Sequence, residues 1–246
     1  KNQEISSQTR TTLCYLLGQI NYPGSAPQLI PLLSDKKMPV AARIRLARIL
    51  DRWGSEEAFP VMLDLIKDRE EDRNLRIVNI AILGRSGSLQ AVEALSDIAL
   101  DTASDPYVRY KAVQMMENCP DPVAEKTLIR LLERPIFRQG LILHRAIIAA
   151  TNKNSIPAID PIIRIAHNQS LGADVRAKAA LSLGRFGGEK AVESLNILRN
   201  DRSRQVSTGA AAALEKLTGE KSLSFNIPKE TSSPKKVFSG PRRKTE

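Results

Sequence analysis

Aromatic residues make up only 4% of this 246-residue chain, with a single tryptophan, and histidine occurs twice. So few imidazoles leave little material for a metal centre or a histidine acid–base pair. Cysteine also occurs twice, as Cys14 and Cys119, too few for a disulfide framework or a zinc site. No apolar run approaches the ~18 residues of a membrane-spanning helix. The stretch "TTLCYLLG" is too short for a secretion signal, and Leu13 before Cys14 spoils a lipoprotein cleavage site, which takes a small residue there. A cytoplasmic location is the default expectation, and a processed or exported form stays open because the sequence lacks an initiator Met. Walker, Rossmann, Ser-His-Asp and Cys-His patterns are all missing. Alternating β-branched runs are missing too, which argues against a sheet.

Alanine, leucine, isoleucine and arginine dominate instead, a composition that favours helices. Net charge is +10, which permits an anionic partner without requiring one. The informative feature is an internal repeat. Taking Gly187 as an anchor, its counterparts are Gly24, Gly54, Gly87, Pro120, Asn154 and Thr218, 30 to 34 residues apart. Four residues before each anchor stand Ile20, Leu50, Leu83, Met116, Ala150, Leu183 and Leu214. Seven before stand Leu17, Ala47, Ile80, Val113, Ile147, Ala180 and Ala211. Eight after stand Leu32, Met62, Leu95, Leu128, Ile162 and Leu195. Offsets of three and four on both sides of a turn are helical spacing, so each unit reads as helix A, turn, helix B.

This pattern explains two G-x-x-G stretches, Gly84-Arg85-Ser86-Gly87 and Gly184-Arg185-Phe186-Gly187, that could pass for nucleic-acid clamps. They are read as structural turns: the first glycine ends helix A in a left-handed backbone, and the second starts the connection to helix B. Trp53, one residue before a turn glycine, is assigned to packing against the adjacent helix.

The segments "DVRAKAALSLGRFGGEKAVESL", "LRIVNIAILGRSGSLQAVEAL" and "YVRYKAVQMMENCPDPVAEKTLIRLL" resemble HEAT-like repeats of the short type also found in phycobilin lyases. The resemblance covers roughly residues 7 to 218. It implies a right-handed α-solenoid of about six helical hairpins with a C-terminal half-repeat cap. It also implies inter-repeat roles for Arg43, Arg76, Arg109 and Arg176, the arginines eleven before their anchors, which in the family pair with turn aspartates and neighbouring carbonyls. Asp72 and Asp105, four before Arg76 and Arg109, are the expected partners. Unit five puts Leu143 at that position, so its junction is expected to be looser or differently curved. The first and last units are expected to be caps with atypical outer faces. In such a stack Cys14 and Cys119 lie three repeats apart, at ~10 Å per packed helix layer, so both are expected as free thiols.

The resemblance also implies where chemistry is missing. The HEAT-type deoxyhypusine hydroxylase binds iron through His-Glu pairs, whereas His144 precedes Arg145 and His167 precedes Asn168 here. HEAT-like alkylpurine DNA glycosylases present tryptophans to the lesion, and Trp53 is the only one in this chain. No catalytic residue, metal ligand or cofactor is assigned, and the expectation is a chain that is not an enzyme.

In this family the B helices line the concave surface. The tenth residue after each anchor reads Ser34, Asp64, Asp97, Arg130, Arg164 and Ile197, so acid gives way to base along the row. Lys126 and His167 stand beside the basic half. The expected function is a scaffold or adaptor binding a protein or extended peptide through Asp64, Asp97, Lys126, Arg130, Arg164 and His167. Nucleic acid or an anionic surface is the first alternative, less favoured because Asp64 and Asp97 would repel phosphates and stacking aromatics are scarce. A bilin-lyase-like subunit is the second. Oligomeric state is not assigned. Residues 219–246 are rich in Pro, Ser and Lys/Arg and carry +4, and are read as a basic, disordered tail.

Overall fold

The computed structural model describes residues 6–20, 22–135 and 140–219, and among them there are thirteen α-helices and no strand. In chain order these are α1 (Ser7–Ile20), α2 (Ala26–Leu29), α3 (Val40–Arg52), α4 (Phe59–Lys67), α5 (Arg73–Ser86), α6 (Leu89–Leu100), α7 (Pro106–Met116), α8 (Pro122–Glu133), α9 (Gly140–Asn152), α10 (Ile159–His167), α11 (Ala173–Phe186), α12 (Glu189–Leu198) and α13 (Arg204–Thr218). Odd-numbered helices are A helices and even-numbered ones B helices, giving six hairpins and a terminal half repeat. Each A helix packs on the next A helix, and each B helix from α4 onward on the next B helix. The layers between them hold the anchor columns: Leu50, Leu83, Met116, Ala150 and Leu183, with Met62, Leu95, Leu128, Ile162 and Leu195, are all buried. Of the proposed tail, Gly219 caps α13 and residues 220–246 lie outside the described residues.

Local chemistry sets the helix ends. Asp72, Asp105 and Asp121 are N-caps whose carboxylates accept from the backbone amides two or three residues on. Proline stands in the first turn of α4, α7 and α8, where its missing N–H costs no hydrogen bond. In unit one, "APQLIPLL" breaks helix B: Pro31 removes a donor, and α2 passes into a 3₁₀ turn over Ile30–Leu33.

The structure changes the account of the G-x-x-G stretches. Gly87 does end α5 in a left-handed conformation at φ 65°. Gly84 and Gly184, however, lie inside their helices. A Cβ on Gly84 would stand 2.6 Å from Met115 Cβ, and one on Gly184 2.6 Å from Ala213 Cβ and 3.0 Å from its Cα. These first glycines let successive A helices approach closely, and helix termination is left to the second. Arg185 donates to Asn152 Oδ1 at 2.6 Å and Phe186 packs on the core, so both residues of that turn are held by the stack.

Two further expectations change. Asp72 and Asp105 are occupied as N-caps, and Arg76 and Arg109 turn instead to carbonyls. Leu143 is 3% exposed, so the unit-five junction is filled by apolar packing at that point and is not open. Trp53 is half-buried against the core, and its indole Nε1 has no acceptor among the described residues. Cys14 and Cys119 are buried free thiols, and burial raises the pKa of Cys14 above its ordinary value. Among the described residues no helix is long and apolar enough to cross a membrane.

Candidate functional site

Three buried arginines repeat one motif. Arg43 Nε donates to Leu33 O at 2.6 Å, Arg76 Nε and Nη2 to Ile66 O at 3.1 and 2.9 Å, and Arg109 Nε and Nη2 to Ala99 O at 3.0 and 2.9 Å. Each reaches back ten residues to a carbonyl in the last turn of the preceding B segment, a group with no intrahelical donor. Burial lowers the pKa of Arg76 and of Arg109, and the acidic neighbours oppose that shift. Arg43 also makes a two-pronged pair with Glu71, Nη1–Oε1 at 2.9 Å and Nη2–Oε2 at 2.6 Å. Burial pushes the Glu71 carboxyl up, but the Arg43 hydrogen bonds and the Asp72 amide outweigh it, and its pKa ends below the ordinary value. Arg176 instead pairs with Asp201 at 2.6 Å, both side chains buried. These arginines hold units together and present no guanidinium to solvent.

A second ladder escaped the sequence reading. Asp35, Asp68, Asp101, Asn168 and Asp201 each accept from the amide two residues on, which closes the turn between units. Lys36 bonds Asp68 at 3.1 Å, Arg69 bonds Asp101 at 2.7 Å and Gln169 bonds Asp201 at 3.0 Å. The signal was present fourteen residues after the anchors from Gly54 onward, and it lapses only where Arg134 replaces the acid. A hollow of about 310 Å³ lies at the turn edge between units two and three, with the Asp51–Arg85 ion pair in its wall, away from the tenth-position row.

On the B helices, Ser34, Asp64, Asp97, Arg130, Arg164 and Ile197 are all exposed, as is Lys126. Among the described residues no side-chain partner engages Asp64, Asp97, Lys126, Arg130 or Arg164. Nearby acids in the basic half are partly committed: Lys190 takes both carboxylate oxygens of Asp160, at 3.0 and 3.1 Å. His167 differs from the others. It is half-buried and its Nε2 lies 2.9 Å from the buried Ser194 Oγ, so it joins units five and six. Thr127 bonds Ser96 between units three and four, two junctions earlier, at 2.9 Å. The four charged members of the row therefore have no side-chain partner among the described residues, and they stand beside hydrogen bonds that join neighbouring units. Among the described residues no cluster of three or more His, Cys, Asp or Glu could hold a metal ion.

Residues 175–198, which form most of unit six, match the model of the PBS lyase HEAT-like repeat. That segment is a HEAT-like repeat, and the helical hairpins before it follow the same helix–turn–helix plan. No curated protein matches the sequence. Among solved structures, human deoxyhypusine hydroxylase in complex with glycerol aligns at 19% identity and a TM-score of 0.47, over 89% of this chain and 82% of that one. That comparison corrects one expectation. That helical protein is an enzyme, and the reading of the chain as no enzyme is withdrawn.

Proposed function

We propose that the B-helix face of this helical repeat protein binds a protein segment or extended peptide of matched charge. The observation that supports this is the tenth-position row: exposed in all six hairpins, unpaired, and changing sign between Asp97 and Arg130. One unit of the stack advances ~10 Å, about the reach of three extended residues. An extended ligand therefore meets a carboxylate, then a guanidinium, at regular intervals. A basic stretch pairs with Asp64 and Asp97, and an acidic stretch with Arg130 and Arg164. Duplex or single-stranded nucleic acid suits the row less well, because it offers one sign of charge along its whole length.

The test is fluorescence anisotropy with a labelled peptide in which a lysine block is joined to a glutamate block. Exchanging Arg130 and Arg164 for glutamate should weaken binding by about 2 kcal/mol or more, the scale of an interface hot spot. Equal affinity of wild type and double variant for that peptide would remove the row from the binding surface.

A further inference from the structure

Charge in this stack is sorted by layer. The A helices α3, α5, α7, α9 and α11 hold thirteen Lys and Arg against two acids, Asp51 and Asp174. The B helices α4, α6, α8, α10 and α12 hold five Lys and Arg against eight Asp and Glu. Four of the thirteen A-helix cations are the buried inter-unit arginines already described. Three more have acidic partners: Arg73 with Asp105, Arg85 with Asp51 and Arg145 with Glu117. Six remain, Arg45, Arg48, Arg52, Lys111, Lys178 and Arg185, and none has a carboxylate at ion-pair distance among the described residues. Arg52 and Arg185 donate to neutral groups, Gly18 O at 3.1 Å and Asn152 Oδ1 at 2.6 Å, and Lys111 donates to Gln114 Oε1 at 2.9 Å. The six share one face. They stand nine (Arg45, Lys111, Lys178), six (Arg48) and two (Arg52, Arg185) residues before their anchors. At about 100° per residue, these positions fall within about 60° of one another. The four arginines are exposed and the two lysines half-buried; Asp174, one turn before Lys178, is the only exposed acid these helices place there. The like charges act on each other across helices. Burial lowers the pKa of Lys111, and Arg85 on α5 and Arg145 on α9 lower it further.

We propose that the A-helix face binds the phosphate backbone of duplex nucleic acid without reading its sequence. The sign of charge supports this first. A duplex carries one negative charge per ~1.7 Å of its length, and this face, unlike the B-helix row, offers cations of one sign throughout. Spacing supports it next. From α3 to α11 are four steps of ~10 Å, so the cations run along ~40 Å, a little more than the ~34 Å turn of a B-form duplex. The positions nine and two before the anchor lie seven residues apart, about 10 Å along each helix. Two such rows can meet phosphates on the two sides of a groove ~12 Å wide. Four of the six cations are arginines, whose planar forks match phosphate oxygens. A single strand calls for rings on which bases stack. Tyr107 is the exposed aromatic of these helices, and Arg73 already lies over it at 5.3 Å from the ring centre. An anionic bilayer takes inserted apolar side chains beside the cations, and the exposed large aliphatics here are Leu141 and Leu181 alone. The proposal concerns the face opposite the charged row, so peptide binding by the B helices stands or falls separately.

The experiment is fluorescence anisotropy on the full chain with a labelled DNA duplex and an RNA duplex, each of about 20 base pairs, between about 50 and 200 mM salt. Wild type should bind at least one of them, which names the source of the phosphates. The logarithm of its affinity should fall against that of salt concentration with a slope of about −5, as six phosphate contacts require. The triple variant Arg45→Glu, Arg48→Glu, Lys178→Glu should bind about tenfold or more weakly at the lowest salt, with a slope shallower by about 3. It should keep the helical circular dichroism of wild type. Lys67→Glu, Arg199→Glu, Arg202→Glu changes net charge equally at exposed positions off this face, and should stay within about threefold of wild type. A wild type that binds neither duplex overturns the proposal. So does equal loss in the two triple variants, which would make the effect one of net charge alone. An A-face variant as tight as wild type, with the duplex held by the row or by residues 220–246, overturns it as well. Vesicles of phosphatidylcholine and phosphatidylserine complete the set: binding to them, lost in the A-face variant while neither duplex binds, would assign the face to a membrane surface instead.

Discussion

At the scale of single residues, the Arg43–Glu71 pair is the contact most exposed to test. Its side chains are 2% and 4% accessible, and with Leu33 O it joins three consecutive units. Breaking one member of a buried pair leaves an uncompensated charge, so Arg43→Ala should cost about 3–5 kcal/mol in urea unfolding. The pH dependence follows from the same group. The Glu71 carboxyl titrates below its ordinary 4.5 in the folded chain, and that of Asp201 below its ordinary 3.8. A carboxylate with a depressed folded pKa stabilises fully above the unfolded value and loses that contribution as pH falls through the folded one. The urea midpoint should therefore be level down to about pH 5 and drop below about 4.5, and Glu71→Gln should flatten the upper part of that acid limb. Of these residues, the arginines were legible because a column of like residues at one offset stands out in the sequence. Their partners were not. A carbonyl has no letter, and Glu71 sits in a junction whose length varies between units.

Element by element, the repeat is read most securely from its apolar columns, and Leu95 and Leu128 occupy the same one, fully buried in both B helices. Truncating either to alanine should cost about 2–5 kcal/mol, measured as a shift of the thermal or urea midpoint. The glycines give a sharper test of helix–helix spacing. Alanine is the better helix former, so Gly184→Ala would stabilise an isolated α11 by about 1 kcal/mol. In the stack its Cβ meets the Ala213 Cα at 3.0 Å, and the variant should instead lose about 1–3 kcal/mol by overpacking. Gly54→Ala meets no atom within 4 Å, and its smaller loss of about 1–2 kcal/mol comes from its φ of 67° alone. The sequence could not separate these two uses of glycine. Helix-breaking and close approach both put Gly near an A-helix end, and only the position of the next A helix distinguishes Gly84 and Gly184 from Gly87.

For the whole molecule, the stack turns a one-residue column into a line of charges beside the hydrogen bonds that join neighbouring units, and this geometry underlies the proposed binding function. The exposure of the row was legible from its offset, because positions six, ten and thirteen after the anchor share a helix face opposite the apolar columns. The engagement of His167 with Ser194 was not, because it depends on how closely α10 and α12 converge. The most direct test is a charge-swap cycle read by anisotropy with the lysine–glutamate block peptide. The chain carrying Arg130→Glu and Arg164→Glu, and the chain carrying Asp64→Arg and Asp97→Arg, should each lose about 2 kcal/mol or more of binding. The chain carrying all four substitutions restores one acidic and one basic half, and the peptide can bind it in the opposite direction, so affinity should return to within about threefold of wild type. A fourfold variant as weak as either double variant, or double variants as tight as wild type, would contradict the account.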